Sequence, residues 1–431
     1  MTEFTPVEAV EVRAWGHPVG AVAPSKRRGA YAFEYDPSWL SRGIQLAPAL
    51  MPLSRNIFTF AGLSAETYQG LPPMIADALP DRFGNAIVDA WLARNGIAPD
   101  VVSALDRLAY LGSRGMGALE FLPAREPNLP PATALKLGDL VLSARRAVEG
   151  TLATENESQA ALRRIIDVGT SAGGARAKAI VNINPVTDEI RSGHLIPPPG
   201  FEPWLVKFDG IGSDSQLGPG RNYGRVEFAY SLMARAAGIE MSATRILEEH
   251  GRAHFMTRRF DRTDDGIRLH LQSLCATDAL DFNAIGVNDY AQFFTRVSEL
   301  APTALEQAFR RMVFNVAAAN NDDHSKNFAF LMTPTGEWML SPAYDITHAF
   351  NPESRWLSQH LMSVNGRFSG ITRADLVAVA ERFGVQASAA IITEINESLA
   401  SWPQFAAQAG LDAAHADTIA ADFEPVAPKR A

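Results

Sequence analysis

Cysteine is nearly absent: Cys275 is the one thiol in 431 residues. A single thiol closes no internal disulfide and builds no zinc cluster, so neither holds this fold together. Long apolar runs are missing too. No stretch approaches the ~18 consecutive apolar residues of a spanning helix, so no membrane association is expected. The opening Met1-Thr2-Glu3-Phe4 has neither a basic region nor an apolar run, which predicts no signal peptide and a cytoplasmic protein. Basic residues are in deficit: 39 Lys and Arg face 48 Asp and Glu, a net charge of -9. Neutralising phosphates needs a basic face, so no direct nucleic-acid contact is expected, Arg258, Arg259 and Arg262 forming a local basic patch at most. No internal repeat is visible. His250 and His254 stand one helical turn apart without the Glu of the zinc-protease pattern and read as exposed histidines.

What is present is an ordinary globular composition, 47% hydrophobic, in a chain longer than the roughly 250–300 residues at which one core stops growing. Two or three subdomains are expected. In residues 1–124, Val10, Val12 and Ala14 alternate with Glu11 and Arg13, a turn follows at Gly16 to Gly20, and Tyr31 to Tyr35 continues the pattern, all reading as a β-rich unit. Helices are predicted at Ala86 to Arg94 and Val101 to Leu111. The Pro-rich stretch Glu126 to Pro131 marks a linker. Residues 135–265 form a second part and 266–431 a mainly helical third, with Leu376, Val377, Val379 and Ala380, then Ala389, Ile391, Ile392 and Ile395, on amphipathic helices.

The most informative segment is Asn320-Asn321-Asp322-Asp323-His324-Ser325-Lys326-Asn327. Before it, Leu305, Phe309, Met312, Val313 and Val316 recur at helical spacing. After it, Phe328 to Met332, the turn Pro334-Thr335-Gly336-Glu337 and Trp338 to Leu340 read as a hairpin leading to Tyr344-Asp345. A polar run after a helix is often only a helix stop, because Asn, Asp and Ser cap and turn the backbone. The added hairpin returns Asn327 and Asp345 to one end of a sheet. In kinases a loop Asp takes the acceptor hydroxyl's proton, while a following Asn and a more distant Asp hold Mg²⁺. Oxygen donors of this kind suit that ion.

Upstream, Thr170-Ser171-Ala172-Gly173-Gly174-Ala175-Arg176-Ala177-Lys178 is a loop of small residues running into a Lys and an apolar segment. Small residues let backbone N–H groups approach phosphate oxygens. No Gly-Lys-Ser/Thr ends it as in a Walker A loop, and alone it reads equally as a turn. Lys207 stands near the end of a short strand read from Pro203 to Phe208. Glu227 follows on a helix whose apolar stripe is read at Phe228, Leu232 and Ala236, repeating the strand Lys and helix Glu of protein kinases. His270 to Cys275 reads equally as a helix start capped by Ser273 and as a segment that contacts a ligand directly.

Asn-x-Asp-x-His-x-Lys-Asn followed by Tyr-Asp resembles the signature of HipA-type kinases, and the resemblance runs through most of the chain. It implies an α+β fold: a two-lobed protein-kinase-like core, related to the phosphatidylinositol kinases, with an N-terminal β-rich subdomain and a mainly helical C-terminal lobe. In its image Asp322 is the catalytic base, His324 supports the loop, and Asn327 and Asp345 are Mg²⁺ ligands. Ser171, Ala172, Gly173, Gly174, Lys178, Lys207 and Glu227 bind ATP, and Ser171 is the autophosphorylated position. Phe255 to Arg262 matches the family's Arg-Phe-Asp-Arg strand, which the resemblance places at the hinge between lobes. Asp323 departs from the small residue expected there and is read as pointing to solvent.

The resemblance further implies a serine/threonine protein kinase acting as a toxin. Its best-known form phosphorylates an aminoacyl-tRNA synthetase and is restrained by a helix-turn-helix antitoxin. The alternatives are a kinase of this fold acting on a small molecule, and a non-catalytic corepressor bound to a DNA-binding partner.

Overall fold

Alternation in the opening segment becomes an antiparallel sheet. Strands β1 (Val10–Ala14), β2 (His17–Pro24), β3 (Tyr31–Tyr35), β4 (Phe58–Thr59) and β5 (Leu119–Leu122) lie in the order β4-β3-β2-β1-β5. Val10, Val12 and Ala14 are buried while Glu11 is exposed, as period-two strands demand. The turn is tighter than the sequence suggests. Ala14 pairs with His17, so only Trp15 and Gly16 connect the strands, and both have positive φ, 50° and 77°. A two-residue turn with both centres left-handed matches the twist of a hairpin. Trp15 tolerates that backbone where its ring stacks on Trp39, 6.2 Å between centroids, and its indole N–H donates to the Arg268 carbonyl at 2.6 Å.

The computed structural model describes residues 4–27, 29–80, 84–85, 88–89, 92–93, 96–98, 101–125, 177–193, 197–209, 213–214, 218–219, 222–249 and 251–427. The small-residue loop with Ser171, Ala172, Gly173 and Gly174, the Pro-rich linker and part of the helix expected over 86–94 lie outside them. The helix expected from Val101 instead spans Ala104–Leu111. Ser103 caps it by accepting from the Asp106 N–H at 3.2 Å while Asp106 accepts from the Ser103 N–H at 3.0 Å.

Two compact units divide the chain, one of Met1–Gly212, Arg258–Gln272 and Leu331–Glu337, the other of Ser213–Thr257, Ser273–Phe330 and Trp338–Ala431. Beside the N-terminal sheet, the first unit holds β6 (Lys178–Ile183), flanked by β7 (Ile190–Ser192) and β8 (Glu202–Lys207), all antiparallel. It also buries an ionic cluster. Arg259 clasps Asp261 through two bonds of 2.9 and 2.6 Å, Arg262 adds one of 2.7 Å, and the Gly117 N–H donates at 2.7 Å. Burial alone would push the Asp261 carboxyl up, but the two guanidiniums and the N–H outweigh it and hold it well below the usual range.

A carboxylate depressed in this way stabilises the fold fully above its unfolded pKa of about 3.9, and the contribution fades as pH falls below that. Asp261→Asn strands buried cations and should cost about 3–5 kcal/mol near neutral pH. Thermal melts of wild type and variant should converge on acidification. A gap of equal size at pH 3 and pH 7 would contradict the linkage.

In the second unit, helices Tyr223–Ala236, Tyr290–Leu300, Leu305–Ala317, Arg373–Phe383 and Ser388–Ala400 contribute to one hydrophobic core. Leu305–Ala317 buries Phe309, Met312, Val313 and Val316 of the stripe read from the sequence and leaves its first member, Leu305, half-buried. Ile391, Ile392 and Ile395 are buried as expected, whereas Ala389 is exposed. The face of Tyr223–Ala236 differs from its expected stripe. Val226, Ala229, Tyr230, Met233 and Ala234 are buried, Ala236 is exposed, and Phe228 and Leu232 are half-buried. Tyr230 decides the orientation, meeting Phe314, Trp402 and Phe423 edge-on and donating its hydroxyl to the Ala318 carbonyl at 2.7 Å. His254 is neither helical nor exposed. It is fully buried in the strand Arg252–Arg258, which pairs with Thr244–Glu249, and burial lowers its pKa.

Candidate active site

Lys178 and Lys207 face each other directly across the antiparallel β6 and β8 strands. Directly opposed residues project from the same face with their Cβ atoms about 5 Å apart, where like charges repel. Lys178 is buried and Lys207 half-buried. The register thus sets on one face of a sheet the two lysines that the sequence offers for a nucleotide's phosphates.

In the second unit, Leu305–Ala317 ends at Ala318, and Asn320 to His324 follow outside any helix or strand. A single 3-10 turn, Ser325–Asn327, enters the strand Ala329–Met332. The hairpin forms as expected: the Thr333 N–H donates to Glu337 O at 3.0 Å and the Ser341 N–H to Ala329 O at 3.0 Å. Returning, the chain places the Tyr344 hydroxyl 2.6 Å from the Lys326 carbonyl, to which it donates. The neighbours of Asn327 and Asp345 are thereby tied together.

Asn327 donates through Nδ2 to the Asp322 carbonyl at 2.7 Å. That bond fixes the amide's orientation and leaves its Oδ1 to act as an acceptor. Asp345 has φ of 53°, a left-handed backbone uncommon outside glycine. Crowding by surrounding protein pushes the Asp322 carboxyl above the ordinary range although the side chain is 39% exposed; Asp345 and Asp323 push it the same way, while His324 and the Trp356 N–H oppose. Neighbouring carboxylates that repel one another are a setting a divalent cation relieves, and an amide oxygen with a carboxylate is a donor set Mg²⁺ accepts. Among the described residues no three His, Cys, Asp or Glu side chains cluster as a metal cage. An ion here would complete its shell with water and phosphate oxygens.

His324 is buried, its ring 5.4 Å from that of Phe282 and its Nε2 3.8 Å from Asp322 Oδ1. Lys326 Nζ lies 4.8 Å from the centre of the Phe282 ring. Glu227 is buried on its helix. Ser273 caps the helix Leu274–Asp278, accepting from the Ala276 N–H at 3.3 Å.

Asp323 does not point to solvent. It is 1% exposed and accepts from the Tyr290 hydroxyl at 2.8 Å, His360 Nδ1 at 2.9 Å and the Leu361 N–H at 2.7 Å. Burial, with the Asp323 charge beside it, holds the Tyr290 phenol well above its ordinary value, so it remains a donor. Asn315 donates to Tyr290 at 3.0 Å, and Asn320 to Asn315 at 2.9 Å. The loop is thus pinned from both sides, and Tyr290, His360 and Trp356 are participants that sequence reading did not single out.

Two family models match the chain, a HipA N-terminal domain over residues 10–122 and a HipA-like C-terminal domain over residues 170–424. Among solved structures, the chain is similar to the HipA, HipB and operator DNA complex of the Shewanella oneidensis toxin–antitoxin system. The TM-score is 0.64 at 18% identity, covering 96% of this chain and 94% of that one. A proinflammatory kinase of Helicobacter pylori, CtkA, covers 52% of this chain and 89% of its own at 12% identity, and its TM-score of 0.34 is too low to support a fold. The chain has the α+β, two-lobed kinase-like fold of the HipA structures. The presence of operator DNA in the Shewanella complex lends no support to the expectation that nucleic acid is not contacted directly. No helix among the described residues is long and apolar enough to cross a membrane.

Proposed function

The chain belongs to the HipA family, and from that premise we propose that it is an ATP- and Mg²⁺-dependent kinase that phosphorylates Ser or Thr hydroxyls of a protein. The observation that carries the proposal is the convergence at the loop's end. Asn327 holds the Asp322 carbonyl, Tyr344 holds Lys326, and the charge of Asp345 is felt at Asp322. Asp322 takes the proton of the acceptor hydroxyl, and its raised pKa makes it a stronger base than a free carboxylate. Lys178 and Lys207 are the proposed carriers of the phosphates' charge, and Glu227 is the acid that the family resemblance adds to the ATP-binding residues. Asn327 and Asp345 would hold a magnesium ion, which when bound would supply neutralisation of charge on the transferring phosphoryl group.

Metal and base roles separate experimentally. Asp345→Asn should weaken ATP binding about tenfold or more when Mg²⁺ is present, the loss of a charged contact of roughly 1.5–3 kcal/mol, and leave binding in EDTA unchanged. Calorimetry in both conditions checks this, and an equal loss in both would point to damaged folding.

Ser171 is the proposed autophosphorylation site, with Thr170 its neighbouring alternative. A phosphate adds about -1.5 to -2 charges and would repel bound ATP. Peptide mapping after incubation with Mg²⁺ and ATP should find phosphate there in the wild type and none in an Asp322→Asn chain. If neither hydroxyl gains phosphate, the switch is wrong. The partners proposed are a protein substrate, of which an aminoacyl-tRNA synthetase is the family's example, and a helix-turn-helix antitoxin. The toxin role is part of the same proposal.

A further inference from the structure

Three consecutive residues of the loop bind one downstream segment. Asn321 donates to the Leu357 carbonyl at 3.0 Å, and Asp323 accepts from His360 and Leu361. Between them, Asp322 Oδ1 accepts from the indole N–H of Trp356 at 2.8 Å. Asn321 and Asp323 are buried, whereas Asp322 and Trp356 remain partly open to solvent. The segment is braced internally as well. Ser354 Oγ accepts from the N–H groups of Trp356 and Leu357, both at 3.2 Å, Asn351 N–H donates to Leu357 O at 3.3 Å, and Ser358 N–H donates to Ser354 O at 3.0 Å. The indole is therefore delivered by a fixed backbone.

Its target is one oxygen only. Oδ1 takes the indole, with His324 Nε2 farther off at 3.8 Å, and Oδ2 takes no bond among the described residues. We propose that Trp356 is a positioning residue for phosphoryl transfer: its N–H holds Oδ1 of Asp322 and turns Oδ2 toward the place of the acceptor hydroxyl. This rests on the reading of Asp322 as the base. A carboxylate free to rotate presents its two oxygens in any orientation, and a single directional donor removes that freedom before the acceptor arrives.

The test uses the full chain, magnesium and γ-labelled ATP, counting phosphate transferred to the chain and to water. Trp356→Phe keeps an aromatic ring and removes the donor. It should bind Mg²⁺ and ATP within about twofold of wild type and transfer phosphate about tenfold more slowly, a barrier change of roughly 1.4 kcal/mol. An independent readout comes from the indole N–H resonances of the seven tryptophans. The one missing in Trp356→Phe should move upfield in Asp322→Asn, where a neutral acceptor replaces a charged one.

A wild type that transfers phosphate but whose Trp356 resonance ignores Asp322→Asn overturns the positioning role alone. A Trp356→Phe rate equal to or above wild type also overturns it, since the indole would then be neutral or obstructive. A wild type that transfers no phosphate to chain or water defeats the kinase reading and the positioning role with it.

Discussion

Asp322→Asn should reduce phosphoryl transfer by roughly 10²–10⁴-fold, the usual worth of a positioned general base, while ATP and Mg²⁺ bind almost as before. The amide has the carboxylate's shape, and its Oδ1 can still accept from Trp356, which sits 2.8 Å away in the wild type. What faces the acceptor is then an NH₂ group that cannot take a proton. Asn327 hangs from the Asp322 backbone carbonyl, not from the side chain, so the substitution leaves the proposed metal donors in place. Labelled ATP and calorimetry on one preparation check both halves. Transfer at the wild-type rate would remove Asp322 from the mechanism. Lost nucleotide binding would mean that the substitution disturbed more than the base.

The largest effect on stability in the second unit is expected from its neighbour. Asp323→Ala deletes an acceptor buried at 1% exposure and strands the Tyr290 hydroxyl, the His360 ring and the Leu361 N–H. Each unsatisfied buried donor costs about 1–3 kcal/mol, and removal of one partner from a buried charged network typically costs 3–5 kcal/mol in all. Equilibrium unfolding should show a loss of about 3 kcal/mol or more, and limited proteolysis should cut first in the stretch 354–363, which Asp323 ties down. A loss under about 1 kcal/mol would mean that water satisfies these donors and that the pin is dispensable.

The contrast between Asp322 and Asp323 explains how far the sequence could be read. The helix Leu305–Ala317, the polar loop and the hairpin were legible because each rests on periodicity or turn chemistry within a few residues. The proposed pairing of Asn327 with Asp345 rests on that same local hairpin, whose neighbouring residues Lys326 and Tyr344 are joined by a hydrogen bond of 2.6 Å. Asp323 was misread as solvent-facing because its partners Tyr290 and Leu361 stand 33 and 38 residues away, and no local pattern announces a pairing at that range. Trp356 was missed for the same reason. Tyr223–Ala236 failed differently: apolar residues occur on more than one face, and Tyr230's distant aromatic neighbours chose which was buried. At His254, spacing of four suggested a helix where the chain forms a β-hairpin of Thr244–Glu249 with Arg252–Arg258.

The opposed lysines of β6 and β8 also bear on the protein's lifetime. Lys178 and Lys207 stand across from one another in register, on the two strands that the proposed nucleotide site would draw on. A polyanion bound there would be linked to folding, since a ligand that binds only the folded form adds about 2.7 kcal/mol at a hundred times its Kd. The β6–β8 sheet would then owe part of its persistence to the nucleotide supply. A cell short of ATP would hold a looser molecule, more open to its proteases, and the abundance of the chain would track the energy state in which it operates.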